Sequence, residues 1–222
     1  MDIIQPADDF EKENVIDVYE EISKHFDKTR FTPWPKVVEF TKTFNNNSII
    51  ADVGCGNGNN CLINTNNKCY IGFEIVDNFI NISSEKGIRV IKSNILDIKS
   101  YDNIFTHTMC IAVIHHLCNE ERRIKAIQEL VRITSVDGYI LIYVWAKEQE
   151  KFKDEEKKDV FVPWNIQKKY TDKDENIYYR YYHLFEKGEL EKLIKNSITN
   201  IEIIESGKQQ NNYFAILKKT KY

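Results

Sequence analysis

The run Asp52-Val53-Gly54-Cys55-Gly56-Asn57-Gly58 collects residue types that a small polar ligand needs at one place on a backbone. Glycines at alternate positions let the chain turn sharply and let a ligand lie against main-chain N–H groups with no Cβ in the way. Twenty residues after Gly54 stands Glu74, an acid placed to accept hydrogen bonds from both hydroxyls of a ribose, as nucleotide-type cofactors require. Asp52, just before the glycines, is a second acid and suits a cofactor ammonium. A dinucleotide fingerprint would want its third glycine at position 59, where this chain has Asn59. The pair His115-His116 is also chemically capable, but adjacent histidines point in different directions and their neighbours do not complete a metal site.

These residues need strands and helices to hold them. Ser48 to Val53 is a short apolar run closed by glycines, the pattern of a strand buried on both faces. Similar runs at Cys69 to Ile75, Arg89 to Ser93, Asn103 to Ile111, Tyr139 to Ala146, Ile201 to Glu205 and Tyr213 to Leu217 predict further strands. Glu120 to Ile133 carries Ile124, Ile127, Leu130 and Val131 on one side behind a capping Asn119, and predicts a helix that ends before Asp137-Gly138. Strands alternating with helices imply crossovers and a mainly parallel α/β sheet. Ahead of it, Val15, Val18, Tyr19, Ile22 and Phe26 recur at helical spacing, Thr32-Pro33-Trp34-Pro35 breaks that helix, and Pro35 opens a short second one. The expectation is one domain over 1–222 with a helical lead-in at about 9–44.

The composition narrows the function classes. At 222 residues with 42% hydrophobic side chains, the chain can bury an adequate core unaided. Five cysteines, an odd number with no CxxC pair, argue against a disulfide framework or a zinc ribbon and for a reducing compartment. No apolar stretch approaches the ~18 residues that cross a bilayer, and the first residues lack the order of a signal peptide. The expectation is a soluble intracellular protein, cytoplasmic or else nuclear. A net charge of −3 gives no global positive field for DNA or RNA, so any RNA contact must come from local patches or a partner. Ala146 to Lys158, dense in Lys and Glu, predicts a mobile surface loop bordering the ligand crevice. Lys147, Lys151, Lys153, Lys157, Lys158, Lys168 and Lys169, clustered after the fifth strand, suit phosphate contacts or, interleaved with acids, a plain solvated loop.

The glycine turn with Glu74 resembles the S-adenosylmethionine-dependent class I methyltransferases, a Rossmann-like fold with a seven-stranded sheet whose last strand is antiparallel. The resemblance narrows over Thr29-Arg30-Phe31-Thr32-Pro33-Trp34-Pro35, Ile111-Ala112-Val113-Ile114-His115-His116, Glu121-Arg122-Arg123, Ile142-Tyr143-Val144-Trp145-Ala146, Asp159-Val160-Phe161-Val162-Pro163-Trp164 and Tyr179-Arg180-Tyr181-Tyr182-His183. In order, from about Glu13 to Leu217, these are similar to the eukaryotic tRNA wobble-uridine carboxyl methyltransferases, including the domain shared with the AlkB-type bifunctional tRNA enzymes. The sequence departs from that family at Ser93-Asn94-Ile95, where an acid near the adenine is usual, and in a shortened stretch between Trp164 and Tyr178.

That resemblance implies methyl transfer from S-adenosylmethionine to the carboxylate of 5-carboxymethyluridine in a tRNA anticodon loop. It also implies a heterodimer with a small zinc-binding activator that covers an apolar face near the sheet edge at Arg89 to Ser93. Cofactor contacts fall on Asp52, Gly54, Gly56, Gly58, Glu74, Ile75, Asn94, Ile95 and Ile111; the protein itself holds no metal. A carboxylate nucleophile is already ionised near neutral pH, so no general base is needed and positioning dominates. A planar arginine fork is the natural clamp, which nominates Arg30 and Arg180. His116 is expected to donate to uracil or carboxylate, and Asp159 and Trp145 to sit on the acceptor side; Trp34 and Trp164, beside prolines, read as packing residues. The alternatives are a small-molecule acceptor on the same fold and a catalytically silent binding subunit.

Overall fold

The computed structural model describes residues 5–66, 68–166 and 177–221. Lys168, Lys169 and most of the shortened stretch before Tyr178 lie outside the described residues. Strands β1 (Ile49–Val53), β2 (Cys69–Glu74), β3 (Val90–Lys92), β4 (Phe105–Ile111), β5 (Thr134–Trp145), β8 (Ile201–Gln209) and β9 (Asn212–Lys219) form one sheet in the order β3-β2-β1-β4-β5-β9-β8. β1 pairs in parallel with β2 and β4, and β5 with β4, whereas β9 runs antiparallel to both β5 and β8. This is the seven-stranded class I methyltransferase arrangement expected from the sequence.

Helices α4 (Asp77–Glu85), α5 (Glu120–Ile133) and α6 (Glu189–Ser197) connect the strands. α5 has the bounds its apolar period dictates, and Asn119 caps it by accepting from Arg122 N at 2.9 Å. Its buried Ile127, Leu130 and Val131 join Ile140, Ile142 and Val144 of β5 in the largest core cluster. On the opposite face Val37 and Phe40, from α3 (Pro35–Thr41), pack on Ile50, Met109 and Leu141. With both faces covered, the central strands β1 and β4 are buried along most of their length, as parallel strands between two helical layers are.

Four local readings change. β5 begins at Thr134 rather than at Tyr139, directly after α5, and Asp137 at φ +63° sits where the β4–β5 register shifts, so Asp137-Gly138 forms a bulge. The lead-in is α1 (Ala7–Glu11), a π-turn at Lys12–Ile16 and α2 (Asp17–Thr29), which carries one helix over the sheet's carboxyl edge. β6 (Asp159–Asn165) and β7 (Ile177–His183) pair as a separate antiparallel ribbon that the sequence reading left without strands. The lysine-rich loop is anchored: Gln149 is buried and donates to Ala146 O at 2.6 Å and Asn211 O at 3.2 Å.

Candidate active site

The carboxyl ends of β1, β2 and β4, the lead-in helix and the β6–β7 ribbon enclose a cavity of about 350 Å³, within the range of small-molecule sites. One end is built by the glycine turn and Glu74. Gly54 adopts φ +71°, and a Cβ there would stand 2.3 Å from Val113, so the turn and the residues after β4 approach through a gap only glycine leaves. Gly56, at φ +54°, faces open space within the cavity wall. Gly58 serves packing instead: its Cβ would meet Ile88 at 2.3 Å, and it does not line the cavity.

Glu74 is buried, yet its carboxylate accepts from Gly56 N at 2.8 Å, Ile75 N at 2.8 Å and Val76 N at 3.0 Å. Burial raises its pKa, and those three N–H groups pull the other way. About one of the four acceptor positions of a carboxylate is left for a ribose hydroxyl. Ile75, Asn94, Ile95 and Ile111 line the same end. Asn94 Oδ1 is used by Leu96 N at 2.9 Å, which leaves its Nδ2 as the donor a ring nitrogen needs. An open glycine wall, a strand-end acid and an apolar slot with one amide donor fit S-adenosylmethionine.

Asp52 departs from expectation. Its side chain is fully buried beside Cys61, whose thiol donates to Oδ2 at 3.6 Å; Oδ1 has no partner, and neither oxygen lines the cavity. The strand directs it away from the ligand space, and burial lifts its pKa to about 7.

At the other end stand Arg30, Trp145, Trp164, Arg180 and Tyr182. Arg180 is 4% exposed, and Nη1 donates to Tyr182 Oη at 3.0 Å and Tyr19 Oη at 3.2 Å. Nε has no partner, and among the described residues no carboxylate pairs with the guanidinium. Arg30 is exposed, with its guanidinium 4.9 Å from the Trp164 ring centre. Its carbonyl accepts from Asn57 Nδ2 at 2.9 Å and Asn59 Nδ2 at 2.7 Å, so the glycine turn and the end of α2 are tied together. Trp164 lines the cavity as well as packing, fixed by Nε1 donating to His25 Nδ1 at 3.0 Å. Trp145 stacks on Tyr182 with centroids 4.4 Å apart.

His116 reaches the cavity but has no proton to offer a substrate. Nδ1 lies 2.8 Å from Tyr181 O and must donate to it; Nε2 then accepts from Tyr19 Oη at 3.1 Å. Burial pulls the ring down to about 3, so it stays neutral. Asp159 is also corrected. Along the ribbon, Val160, Val162, Trp164, Arg180 and Tyr182 share one face, and Asp159, Tyr181 and His183 the other. Asp159 therefore misses the cavity and accepts from Tyr181 Oη at 2.5 Å and His183 Nδ1 at 2.8 Å.

The cavity also holds residues that the sequence does not mark as site residues, Tyr19 and Ala112 among them. Tyr19 was assigned only to a helix face, although its hydroxyl joins His116 to Arg180. Ala112 holds φ +60° directly after β4, a strained conformation for alanine at a ligand edge; nothing in its residue type signals this.

Comparison with known proteins follows this geometry. The family described as "Methyltransferase domain" matches residues 51–142. The tRNA (carboxymethyluridine(34)-5-O)-methyltransferase of Schizosaccharomyces pombe (strain 972 / ATCC 24843) is 38% identical, over 95% of this chain and 98% of that protein. The tRNA (carboxymethyluridine(34)-5-O)-methyltransferase alkbh8 of Xenopus tropicalis is 33% identical over 96% of this chain, which spans 42% of that longer protein. Among solved structures, one described as the "Complex between the Haloferax volcanii Trm112 methyltransferase activator and the putative methyltransferase" has a TM-score of 0.69, covering 98% of this chain and 99% of its own at 8% identity. An S-adenosylmethionine-dependent methyltransferase from Clostridium acetobutylicum ATCC 824 gives 0.64 over 91% and 99%, at 12% identity. At such identities the likeness is one of fold.

Proposed function

Because this chain belongs to the family of tRNA (carboxymethyluridine(34)-5-O)-methyltransferases, we propose that it methylates the carboxylate of 5-carboxymethyluridine at the wobble position of tRNA, forming the methyl ester. The observation that carries this reading is Arg180. A buried guanidinium is costly without a counter-charge, and this one faces a cavity of aromatic walls with two hydroxyls and, among the described residues, no acid as partners. A nucleotide base bearing a carboxylate satisfies both needs, since its ring stacks on Trp145 or Trp164 while its anion meets Arg180.

S-adenosylmethionine supplies a methyl group on a positively charged sulfur. Gly54, Gly56, Glu74, Ile75, Asn94, Ile95 and Ile111 would hold it, with Glu74 toward the ribose and Asn94 toward the adenine. Arg180, held by Tyr19 and Tyr182, orients the acceptor carboxylate. An ion pair stabilises the charged ground state more than the neutralising transition state, so a single fork aligning one oxygen serves better than full encirclement. The neutral His116 keeps Tyr19 in place and moves no proton. Phe26, Phe79 and Trp164 narrow the cavity around the reacting groups.

We extend the proposal to a heterodimer with a small zinc-binding activator. The solved neighbour that carries an activator superposes on nearly the whole chain, and among the described residues β3 pairs only with β2, which leaves an open edge at Val90–Lys92. The test is nucleoside analysis of carboxymethylated tRNA incubated with the protein, activator and S-adenosylmethionine. The wobble methyl ester should accumulate; a tRNA that keeps its free acid while the protein binds cofactor would overturn the acceptor assignment.

A further inference from the structure

Three cations meet where the cavity opens, and the acceptor accounts for one. Arg180 and Arg30 both lie on Trp164, with guanidinium carbons 4.7 and 4.9 Å from its ring centre. Lys151 stands at the other indole, Nζ 3.7 Å from the centre of Trp145 and 4.6 Å from that of Phe152. It occupies a single 3-10 turn, Glu150–Phe152, in the loop anchored by Gln149. Among the described residues, none of these three cations has a carboxylate partner. Neighbouring lysines of the loop differ: Lys147 pairs with Glu186 at 3.2 Å, Lys153 with Glu150 at 2.9 Å and Lys158 with Glu189 at 3.0 Å. The loop is thus neither a uniform basic patch nor a uniformly solvated one. Its one lysine laid on an active-site ring is unpaired.

Charge bookkeeping then separates the roles. The acceptor brings one negative charge, which buried Arg180 balances and which disappears in the ester. Arg30, which lines the cavity, and Lys151, laid on the cavity residue Trp145, remain, and both residues are exposed; partial burial of the ammonium against the rings, then repulsion from Arg180 and Arg30, pulls Lys151 down to about 8. A nucleotide turned into the cavity leaves its two flanking phosphodiesters at that opening. We propose that Lys151, together with Arg30, binds the backbone phosphates that flank the target nucleotide, while Arg180 alone takes the base's carboxylate. This assignment rests on the RNA substrate proposed above. A cation held by a ring face rather than by an acid is free to swing onto a phosphate without breaking an ion pair.

The experiment compares Lys151→Gln and Lys151→Arg with the unmodified protein in complex with its activator. tRNA affinity is measured against salt, KM and kcat on carboxymethylated tRNA, and cofactor affinity as a control for folding. Lys151→Gln should flatten the dependence of log affinity on log salt by about one contact and raise KM for tRNA about threefold or more, with kcat moving less than KM. Lys151→Arg should restore the slope. An unchanged slope and KM overturn the inference, as does a fall in kcat alone, which would put Lys151 on the carboxylate. If the unmodified protein binds tRNA yet forms no ester, the functional proposal fails while the salt comparison still reads the phosphate contact.

Discussion

Tyr19 Oη lies 3.1 Å from His116 Nε2, joining the lead-in helix to the end of β4 across 97 residues of sequence. Since His116 Nδ1 donates to Tyr181 O, Nε2 is the acceptor and the tyrosine proton points to it. The phenol's lone pairs are thereby turned to Arg180 Nη1, 3.2 Å away. A neutral histidine fixes a hydroxyl, and the hydroxyl fixes the arginine that lines the cavity.

Replacing Tyr19 by Phe keeps the ring that packs on Phe26 and Phe79 but removes this link. Turnover on carboxymethylated tRNA should fall by roughly 1.5–3 kcal/mol, the worth of a hydrogen bond to a charged group. Cofactor affinity should stay unchanged in calorimetry. Full activity in Tyr19→Phe would mean that Arg180 is placed by packing alone.

No enzyme group is required to take a proton, which gives the rate a simple pH dependence. The acceptor carboxylate is ionised above about pH 5, and His116, held at about 3 by burial, does not titrate above that. With tRNA and cofactor saturating, kcat should be level from about pH 6 to 9. A break near pH 6.5 in kcat would point to a histidine acting as base.

Two glycines of the turn should fail differently. Gly56→Val puts a side chain on the cavity wall at φ +54° and should abolish measurable cofactor binding with a smaller effect on melting. Gly58→Ala drives a methyl against Ile88 at φ +77°, and overpacking of this kind costs about 1–3 kcal/mol; melting temperature should fall first. Calorimetry and thermal melts on both variants distinguish a ligand wall from a packing contact, and the reverse pattern would exchange the two roles.

Asp52 makes the stability of the cofactor-free fold depend on pH between acid and neutral. The unfolded chain releases this proton near pH 4, the folded one at about 7, so stability declines as pH rises between those values and declines no further above them. Asp52→Asn cannot ionise. Its melting temperature relative to the unmodified protein should therefore climb from pH 5 to pH 8 and then level off. A constant difference across that range would show that Asp52 is ionised throughout in the fold.

The sequence by itself determined the sheet, the glycine turn and Glu74. Each is a local demand: apolar runs must be buried, φ values near +54° to +77° exclude a Cβ at little cost, and an acid at a strand end meets the backbone N–H groups that follow it. Gly58 and Asp52 show the limit of such reading, because a motif position states a residue type and not the direction of its side chain. The ribbon hid Asp159 in the same way, since the alternation that turns Arg180 inward turns Asp159 outward, and only the pairing of Asp159 with His183 sets that parity. That buried Arg180 is held by hydroxyls, and which nitrogen of His116 bears a proton, was decided by partners elsewhere in the fold: Tyr19 and Tyr182 for Arg180, Tyr181 for His116. Charge and tautomer belong to neighbourhoods in space, and those exist only once the lead-in helix and the ribbon have closed over the strand ends.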